Sequence, residues 1–341
     1  MYDVISEIKK WRKQGKQIAL ATVLETWGSS PRAPGATLVV NQDGEMAGSV
    51  SGGCVEGAVV QESLDVLKTG KPRLLHFGVA DETAWEVGLA CGGNIDIFIK
   101  RLDPQVGQAL ENVLDAVQTA ALVSVIRGPE NLAGQSLLVA ETGQRSGDLE
   151  PRYQDQAAEY AKNAFAKSKP QRVQLEEGVE FFVEPLQPPP KLIVVGGVHI
   201  AIALVSLAKT LGYYTIVIDP RRQFGSAARF PHVDELVTEW PDEALDAVGI
   251  TTNTAITFLT HDPKIDDPGL MKALPSAAFY VGALGSKKTQ ASRRQRLLEA
   301  GLSEVDVDRI YGPIGVNLGG RTPEEIALAI MAEIVQVRNR T

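Results

Sequence analysis

The chain has 341 residues, of which 44% are hydrophobic and 22% are charged, and its formal net charge at pH 7 is −8. The length predicts two or three domains, and the acidic balance without any lysine- and arginine-rich run excludes a sequence-independent grip on nucleic acid. No apolar stretch has the length of a membrane span, and the first residues do not resemble a signal peptide. Two cysteines do not make a disulfide framework, so we expect a cytoplasmic protein with reduced thiols.

The first part of the chain, residues 1–187, is predicted to be an α+β domain. An internal duplication into copy 1 (residues 1–103) and copy 2 (residues 104–187) is one interpretation, and coincidence among short β-rich segments is the other. The segments that match are 35–44 with 134–143, 19–23 with 121–125, and 95–99 with 179–183. Each copy is predicted to fold as strand, hairpin, helix and strand. Features that only copy 1 has are the better candidates for chemistry.

A polar loop at residues 27–32 is the first feature of copy 1 without a counterpart in copy 2. The hydroxyls of Ser29 and Ser30 and the guanidinium of Arg32 could bind a phosphate or a carboxylate, and Trp27 could stack on a planar ring. The alternative is an ordinary turn with a solvated arginine.

Both cysteines of the chain adjoin a pair of glycines. The two groups are Gly52, Gly53 and Cys54, and Cys91, Gly92 and Gly93. Glycine lets the backbone approach a ligand closely, and a helix predicted at 55–68 would place the first thiol near a positive helix end. Two presented thiols suggest a soft group such as a metal or a metal cofactor. The alternative is structural, because cysteine is often buried.

Three consecutive prolines at 188–190 are predicted to form a linker. Beyond them, residues 191–341 are predicted to form a Rossmann-like domain, a doubly wound parallel sheet, because apolar strands alternate with helices. The predicted strands are 192–195, 214–218, 255–259, 278–281 and 309–311. The predicted helices are 200–211, 268–273, 287–300 and 323–339, the last with a capping box.

The first strand of this domain leads into a degraded dinucleotide fingerprint. Gly196 and Ala201 fit its first and sixth positions, but Val198 replaces the glycine that admits a pyrophosphate, so a bound nucleotide is doubtful. Asp219 stands where an acid would bind a ribose hydroxyl, and His199 is either a ligating imidazole or simply hydrogen-bonded. Other candidate ligand residues at the same edge, several of them around predicted helix starts that suit anions, are Gly197, Arg221, Gly282, Gly285, Ser286, Lys287, Gly312, Gly315 and Arg321.

Taken together, several segments of the chain resemble the XdhC/CoxI family, the accessory factors of xanthine dehydrogenase and related molybdenum hydroxylases. They are residues 28–32, 48–57, 88–93, 219–221, 280–289, 312–315 and 320–325, and the resemblance covers nearly the whole chain. It implies a CoxI-type N-terminal domain and a chaperone that binds a molybdopterin-type molybdenum cofactor. Such a chaperone protects the cofactor while its terminal sulfido ligand is installed and delivers it to the hydroxylase.

The resemblance also implies partners and ligand positions. The implied partners are a xanthine dehydrogenase-type hydroxylase, a cysteine desulfurase and a second copy of the chain in a homodimer. Trp27 would suit the pterin, the loops after Gly282 and Gly312 a phosphate, and Cys54 and Cys91 the molybdenum. The alternatives are an NAD(P)-dependent oxidoreductase, a sulfur-transfer helper that uses a cysteine, and a nucleotide-sensing regulator.

Overall fold

Two antiparallel sheets of five strands dominate the first part of the protein. The computed structural model describes residues 1–28, 32–78, 93–167 and 169–340, and the chain divides into unit 1, Met1–Pro188, and unit 2, Pro189–Thr341. The division falls within the segment that the sequence predicts as a linker. Among the described residues, no helix combines the length and the apolar character needed to cross a membrane.

Copy 1 and copy 2 contribute one sheet each to unit 1. The elements of copy 1 are α1 (Ile5–Lys13), β1 (Ile18–Trp27), β2 (Thr37–Asn41), β3 (Met46–Gly48), α2 (Glu56–Thr69), β4 (Arg73–Phe77) and β5 (Asn94–Arg101). The elements of copy 2 are α3 (Pro104–Asp115), β6 (Ala120–Arg127), β7 (Ser136–Ala140), β8 (Arg145–Gly147), α4 (Pro151–Lys167), β9 (Gln171–Gln174) and β10 (Glu180–Leu186). The strand orders are β3-β2-β1-β5-β4 and β8-β7-β6-β10-β9. A duplication remains an interpretation of this shared order.

Unit 1 consists of four stacked layers, because the side chains of its strands alternate between the two faces of each sheet. In β1, Ala21 and Val23 pack in a cluster with residues of α2, whereas Leu20 and Leu24 pack in clusters with residues of the second sheet. In β6, the odd-numbered residues pack with α4 and the even-numbered ones with the first sheet. Because successive side chains of a strand point to opposite faces, the layers are α2, first sheet, second sheet and α4.

Unit 2 is a parallel six-stranded sheet, and its Rossmann-like fold confirms the prediction. Its elements are β11 (Lys191–Val195), α5 (His199–Thr210), β12 (Tyr214–Ile218), β13 (Glu235–Val237), α6 (Pro241–Val248), β14 (Thr254–Phe258), α7 (Pro263–Ala273), β15 (Tyr280–Ala283), α8 (Lys287–Glu299), α9 (Glu304–Val307), β16 (Ile310–Tyr311) and α10 (Pro323–Arg338). The order β13-β12-β11-β14-β15-β16 is that of dinucleotide-binding folds. Helices α5 and α10 contribute to the core on one face, and α6, α7 and α8 to that on the other.

Three elements of unit 2 were not predicted, and one begins earlier than predicted. Strand β13 and the helices α6 and α9 are absent from the predicted set. Helix α7 begins at Pro263 instead of residue 268, because the Asp262 side chain accepts a hydrogen bond from the Lys264 N–H and starts the helix there. Pro268 lies inside this helix. The predicted capping box of α10 is present, with Thr322 and Glu325 as its two members.

Candidate functional site

One end of the first sheet gathers the features that only copy 1 has. Trp27, the last residue of β1, pairs with Asn94, the first of β5. Phe77 at the end of β4 pairs with the following residue of β5, and Gly48 at the end of β3 pairs near the start of β2. We call this end, together with the described residues 28, 32–36, 49–55, 78 and 93 next to it, the loop edge.

The loop edge brings several predicted site residues onto one side of unit 1. They are Trp27, Arg32, Gly52, Gly53, Cys54 and Gly93. Four further predicted residues, Ser29, Ser30, Cys91 and Gly92, lie outside the described residues.

The carboxylate of Glu56 organises the loop that precedes α2. Its Oε1 accepts hydrogen bonds from the Ser49 hydroxyl at 2.7 Å, the Val50 N–H at 3.2 Å and the Ser51 N–H at 2.9 Å. Its Oε2 accepts from the Gly53 N–H at 2.8 Å and from the Ser51 hydroxyl. One side chain thus binds five donors of residues 49–53 and fixes the backbone on which Cys54 follows.

Glu56 is held as an anion by these donors. Burial raises the pKa of its carboxyl, but hydrogen bonds from Ser51 and Ser49 outweigh burial and bring the pKa from 4.5 to about 2. The side chain therefore carries its charge throughout the neutral range. The loop also closes on itself, because the Gly52 N–H donates to the Ser49 hydroxyl at 2.9 Å and the Val55 N–H to the Ser51 hydroxyl at 3.0 Å.

Copy 2 has no loop of this length at the corresponding position. Residues 49–55 separate β3 from α2, whereas only residues 148–150 separate β8 from α4. The short connection is closed by Asp148, whose Oδ1 accepts from the Ser136 N–H at 2.8 Å. The loop held by the Glu56 carboxylate, which we call the Glu56-clamped loop, is therefore an addition to the shared strand framework.

Cys54 stands at the border between this loop and the core. It is partly buried and packs against the cluster formed by the outer face of the first sheet and by α2. The two preceding residues, Gly52 and Gly53, have φ of +77° and +120°, which glycine adopts readily and other residues rarely do. Cys54 lies two residues before the start of α2.

Arg32 joins two segments of the loop edge. Its Nε donates to the Ser49 carbonyl oxygen at 3.1 Å, and its Nη2 lies 3.3 Å from Oδ2 of Asp3. The side chain is thus engaged within unit 1. Its predicted role in binding a phosphate or carboxylate stays a prediction.

Beside this loop, Trp27 lies next to an imidazole that the sequence analysis did not select. The Trp27 side chain is 43% exposed. Its ring and the His76 ring are arranged edge-on, with their centroids 6.3 Å apart. His76 Nδ1 lies 2.6 Å from Asp96 Oδ1, and Asp96 Oδ2 accepts from Arg172 at 3.1 Å. Arg172 belongs to copy 2 and also donates to Glu180 at 2.7 Å. Copy 2 therefore helps to orient a histidine of copy 1.

At the carboxyl edge of the sheet in unit 2, the predicted glycines of the first loop serve internal packing. A Cβ at Gly196 would lie 2.6 Å from Thr260 Cγ2, and one at Gly197 would lie 2.5 Å from the Phe224 carbonyl oxygen. Val198 occupies the N-cap position of α5 without a side-chain hydrogen bond, and the first residue of the helix, His199, is exposed. These contacts explain the two glycines without a ligand.

Asp219 is fully buried and engaged with its neighbours. Its Oδ2 accepts from the Gly197 N–H and from Arg221 Nη2, both at 2.8 Å. Its Oδ1 accepts from the Arg221 N–H and Nε, both at 2.9 Å. A carboxylate has about four acceptor positions, and these four bonds use them.

The loops after β15 and β16 lie at the same edge. Ser286 caps α8 by accepting from the Thr289 N–H, and Lys287 is exposed. Gly282 packs against Ile314, and Gly312 packs against Gln290. Gly285 has φ of +143°. The Gly315 N–H donates to Glu333 at 2.9 Å, and the Arg321 N–H to Glu325 at 2.7 Å.

Three arginines of α8 are matched by acids. Arg293 is buried and lies 3.5 Å from Asp266, Arg296 lies 2.6 Å from Asp267, and Arg294 pairs with an aspartate of α9–β16. The positive charge of these arginines is therefore largely neutralised, and Lys287 and Lys288 are exposed in the first turn of the helix. Among the described residues, no three His, Cys, Asp or Glu side chains are grouped to hold a metal ion.

Comparisons with known proteins identify relatives over nearly the whole chain. Residues 192–334 match the family described as the XdhC Rossmann domain, and residues 11–78 match the XdhC and CoxI family. The chain is 30% identical to the molybdenum cofactor insertion chaperone PaoD of Escherichia coli over 95% of its own length and 84% of that protein. It is 27% identical to a protein of Bacillus subtilis described as a probable subunit of xanthine dehydrogenase, over 95% of this chain and 94% of that one.

A solved structure has the same fold. The crystal structure described as a xanthine dehydrogenase from Bacillus halodurans superposes with a TM-score of 0.80 at 25% identity, covering 99% of this chain and 96% of that one.

Proposed function

Because the chain belongs to the XdhC and CoxI family, we propose that it binds the molybdenum cofactor and takes part in the maturation of a xanthine dehydrogenase-type hydroxylase. The names of its relatives support this role, since one is a cofactor insertion chaperone and another is described as part of a xanthine dehydrogenase. The finer steps of the proposal are that the cofactor stays bound while its sulfido ligand is installed and is then delivered to the hydroxylase. A cysteine desulfurase and a second copy of the chain complete the proposed set of partners, in the cytoplasm.

The Glu56-clamped loop is the single observation that carries the proposal. Copy 1 and copy 2 share their strand order, so a stable framework does not require residues 49–55. The loop nevertheless commits a buried carboxylate to five donors and places Cys54 beside a helix start. A thiolate is a ligand that soft metals and sulfur-rich groups accept.

The residues at the loop edge fit the chemistry of the cofactor. Cys54 offers a sulfur donor, and the exposed face of Trp27 offers a stacking surface for a flat pterin. When bound, the cofactor would supply the molybdenum and its sulfur ligands, while the chain would hold it and exclude water. Cys91, on the segment that begins and ends at this edge, is proposed as the second thiol.

Anaerobic retention of isolated cofactor tests the proposal. The chain is mixed with cofactor, passed through gel filtration and analysed for molybdenum, with NADH as a parallel ligand. We expect stoichiometric molybdenum with the native chain and a loss of at least tenfold in the affinity of a Cys54→Ser/Cys91→Ser variant. Gly57→Ala is the matched control, because a Cβ there meets nothing within 4 Å and both thiols remain.

Two results would contradict parts of this proposal. Undiminished molybdenum retention by the double cysteine variant would remove the thiols from the site. Binding of NADH without retention of molybdenum would favour the alternative, an NAD(P)-dependent oxidoreductase that uses unit 2.

A further inference from the structure

We propose that Arg221 forms a binding site for a phosphate ester at the carboxyl ends of β11 and β12. This inference rests on the proposed function only for the identity of the natural ligand. It starts from the acid at the end of the second strand of a Rossmann-like sheet, which in dinucleotide-binding domains accepts a ribose hydroxyl.

Asp219 is not available for that task. Its two oxygens receive four hydrogen bonds of 2.8–2.9 Å from Gly197 and Arg221, and its side chain is wholly buried. A ribose hydroxyl could bind only by displacing one of these donors, which would leave a buried group unpaired. The position that usually recognises a hydroxyl is instead used to hold an arginine.

The guanidinium of Arg221 is fixed in place and partly open to solvent. Its Nε and Nη2 face the Asp219 carboxylate, so Nη1 is directed away from that carboxylate. The guanidinium carbon lies 4.1 Å from the centre of the Phe224 ring, and the side chain is 35% exposed. A planar guanidinium that is already oriented loses little freedom when it binds a phosphate oxygen.

Further positive groups surround Arg221. Arg229 lies 5.5 Å from the same Phe224 ring, and Arg222 is exposed. The first turn of α5, which the structure describes completely, has neither a side-chain cap nor an acidic residue, so its N–H groups add to the positive potential. Besides Asp219, the acids that act electrostatically on Arg221 are Asp262 and Asp266.

Each of these two acids also has partners of its own elsewhere in unit 2. Asp262 caps α7 by accepting from the Lys264 N–H. Asp266 is buried, accepts from Thr260 at 2.6 Å and lies 3.5 Å from Arg293. Both carboxylates are therefore occupied within their own part of unit 2.

The ligand chemistry that follows is a phosphate ester held by a guanidinium. The phosphate could belong to the pterin cofactor or to a nucleotide with a phosphate on its ribose. Full-length chain is titrated with NADPH and NADH in one arm and with isolated cofactor in the other. The variants are Arg221→Gln and Arg222→Gln, which remove the same charge from neighbouring residues.

We expect Arg221→Gln to lose roughly tenfold to a hundredfold in affinity for the phosphate-bearing ligand, as charge-assisted hydrogen bonds suggest, and Arg222→Gln to lose much less. A loss confined to NADPH, with NADH unaffected, identifies a nucleotide phosphate. A loss confined to the cofactor arm identifies the pterin phosphate. Equal affinities of the two variants in both arms, or no phosphate-dependent binding by the native chain, would overturn the assignment.

A folding defect must be separated from a binding defect. Arg221→Gln leaves the buried Asp219 without its main partner, so the double variant Asp219→Asn/Arg221→Gln is tested alongside. It must show the same loss of affinity if Arg221 binds the phosphate. If the native chain retains the cofactor and Arg221→Gln retains it equally, this inference fails while the proposed function stands. If NADPH binds through Arg221 but molybdenum is not retained, the proposed function fails instead.

Discussion

Replacing Glu56 by glutamine should release the loop that carries Cys54. The amide keeps the size of the side chain but has one acceptor oxygen, so its NH₂ group must face donors such as the Gly53 N–H and the Ser51 hydroxyl. The native carboxyl has its pKa lowered from 4.5 to about 2, which corresponds to about 3 kcal/mol at neutral pH. Solvent screening reduces the expected loss of local stability to about 2 kcal/mol.

Hydrogen exchange of the loop amides measures this loss directly. The N–H groups of Val50, Ser51 and Gly53 donate to Glu56, so their protection should fall by roughly 30-fold at pH 7, since 1.4 kcal/mol is a factor of ten. The matched control is Glu62→Gln, which removes the same charge from a partly exposed position of the same helix.

The pH dependence supplies a second check with a defined sign. Because the folded pKa of Glu56 lies below its unfolded value, its contribution to stability is present above pH 4.5 and is lost as the pH falls towards 2. The native chain and Glu56→Gln should therefore converge in acid and differ at neutrality. Equal protection of the loop amides at pH 7 would refute the idea that this carboxylate holds the loop.

Three further predictions concern unit 1. Burial raises the pKa of Glu184 to about 7 and lowers that of Lys100 to about 8. The contribution of Glu184 to the free energy of unfolding is therefore lost as the pH rises from 4.5 through 7, and the contribution of Lys100 is lost as the pH falls from 10.5 through 8. Lys100→Met/Glu184→Gln should therefore raise the free energy of unfolding at pH 7 by about 1–4 kcal/mol in urea titrations. Gly48→Ala should cost about 1–3 kcal/mol more than Gly44→Ala. The φ angles are similar, at +84° and +82°, but a Cβ at Gly48 would lie 2.3 Å from the Thr37 carbonyl oxygen, whereas one at Gly44 would meet nothing within 4 Å; equal melting temperatures would contradict this. Arg172→Met removes the guanidinium that the buried carboxylates of Asp96 and Glu180 share and should cost about 3 kcal/mol, with a thermal melt as the measurement.

The fold of unit 2 was predictable because buried parallel strands appear in the sequence as continuous runs of apolar residues. Residues 192–195 and 214–218 are such runs, and both form strands. Strand β13, Glu235–Val237, has three residues of which none is fully buried, so no run marks it. Pro268 was interpreted as a helix start, but helix α7 passes through it from a cap at Asp262.

The candidate site was predictable only where rare residues mark it. Cys54 and its glycines stand out because the chain has two cysteines. Glu56 does not, since a glutamate at a helix start is ordinary and its five donors converge only after the loop folds. His76 and Asp96 are paired by the register of β4 and β5, and Arg172 reaches them from the other sheet, which no local pattern in the sequence indicates.

The two sheets of unit 1 have the same strand order but different roles. The strands of both sheets pack face to face, and copy 2 closes its connection before α4 with only residues 148–150. Copy 1 lengthens the corresponding connection and uses a buried carboxylate, Glu56, to shape it. Copy 2 in turn supplies Arg172, which holds Asp96 beneath His76. If copy 2 only supports, then disrupting Arg172 should disturb the loop edge of copy 1, whereas changes to the short connection at 148–150 should leave cofactor retention unaltered in the molybdenum assay.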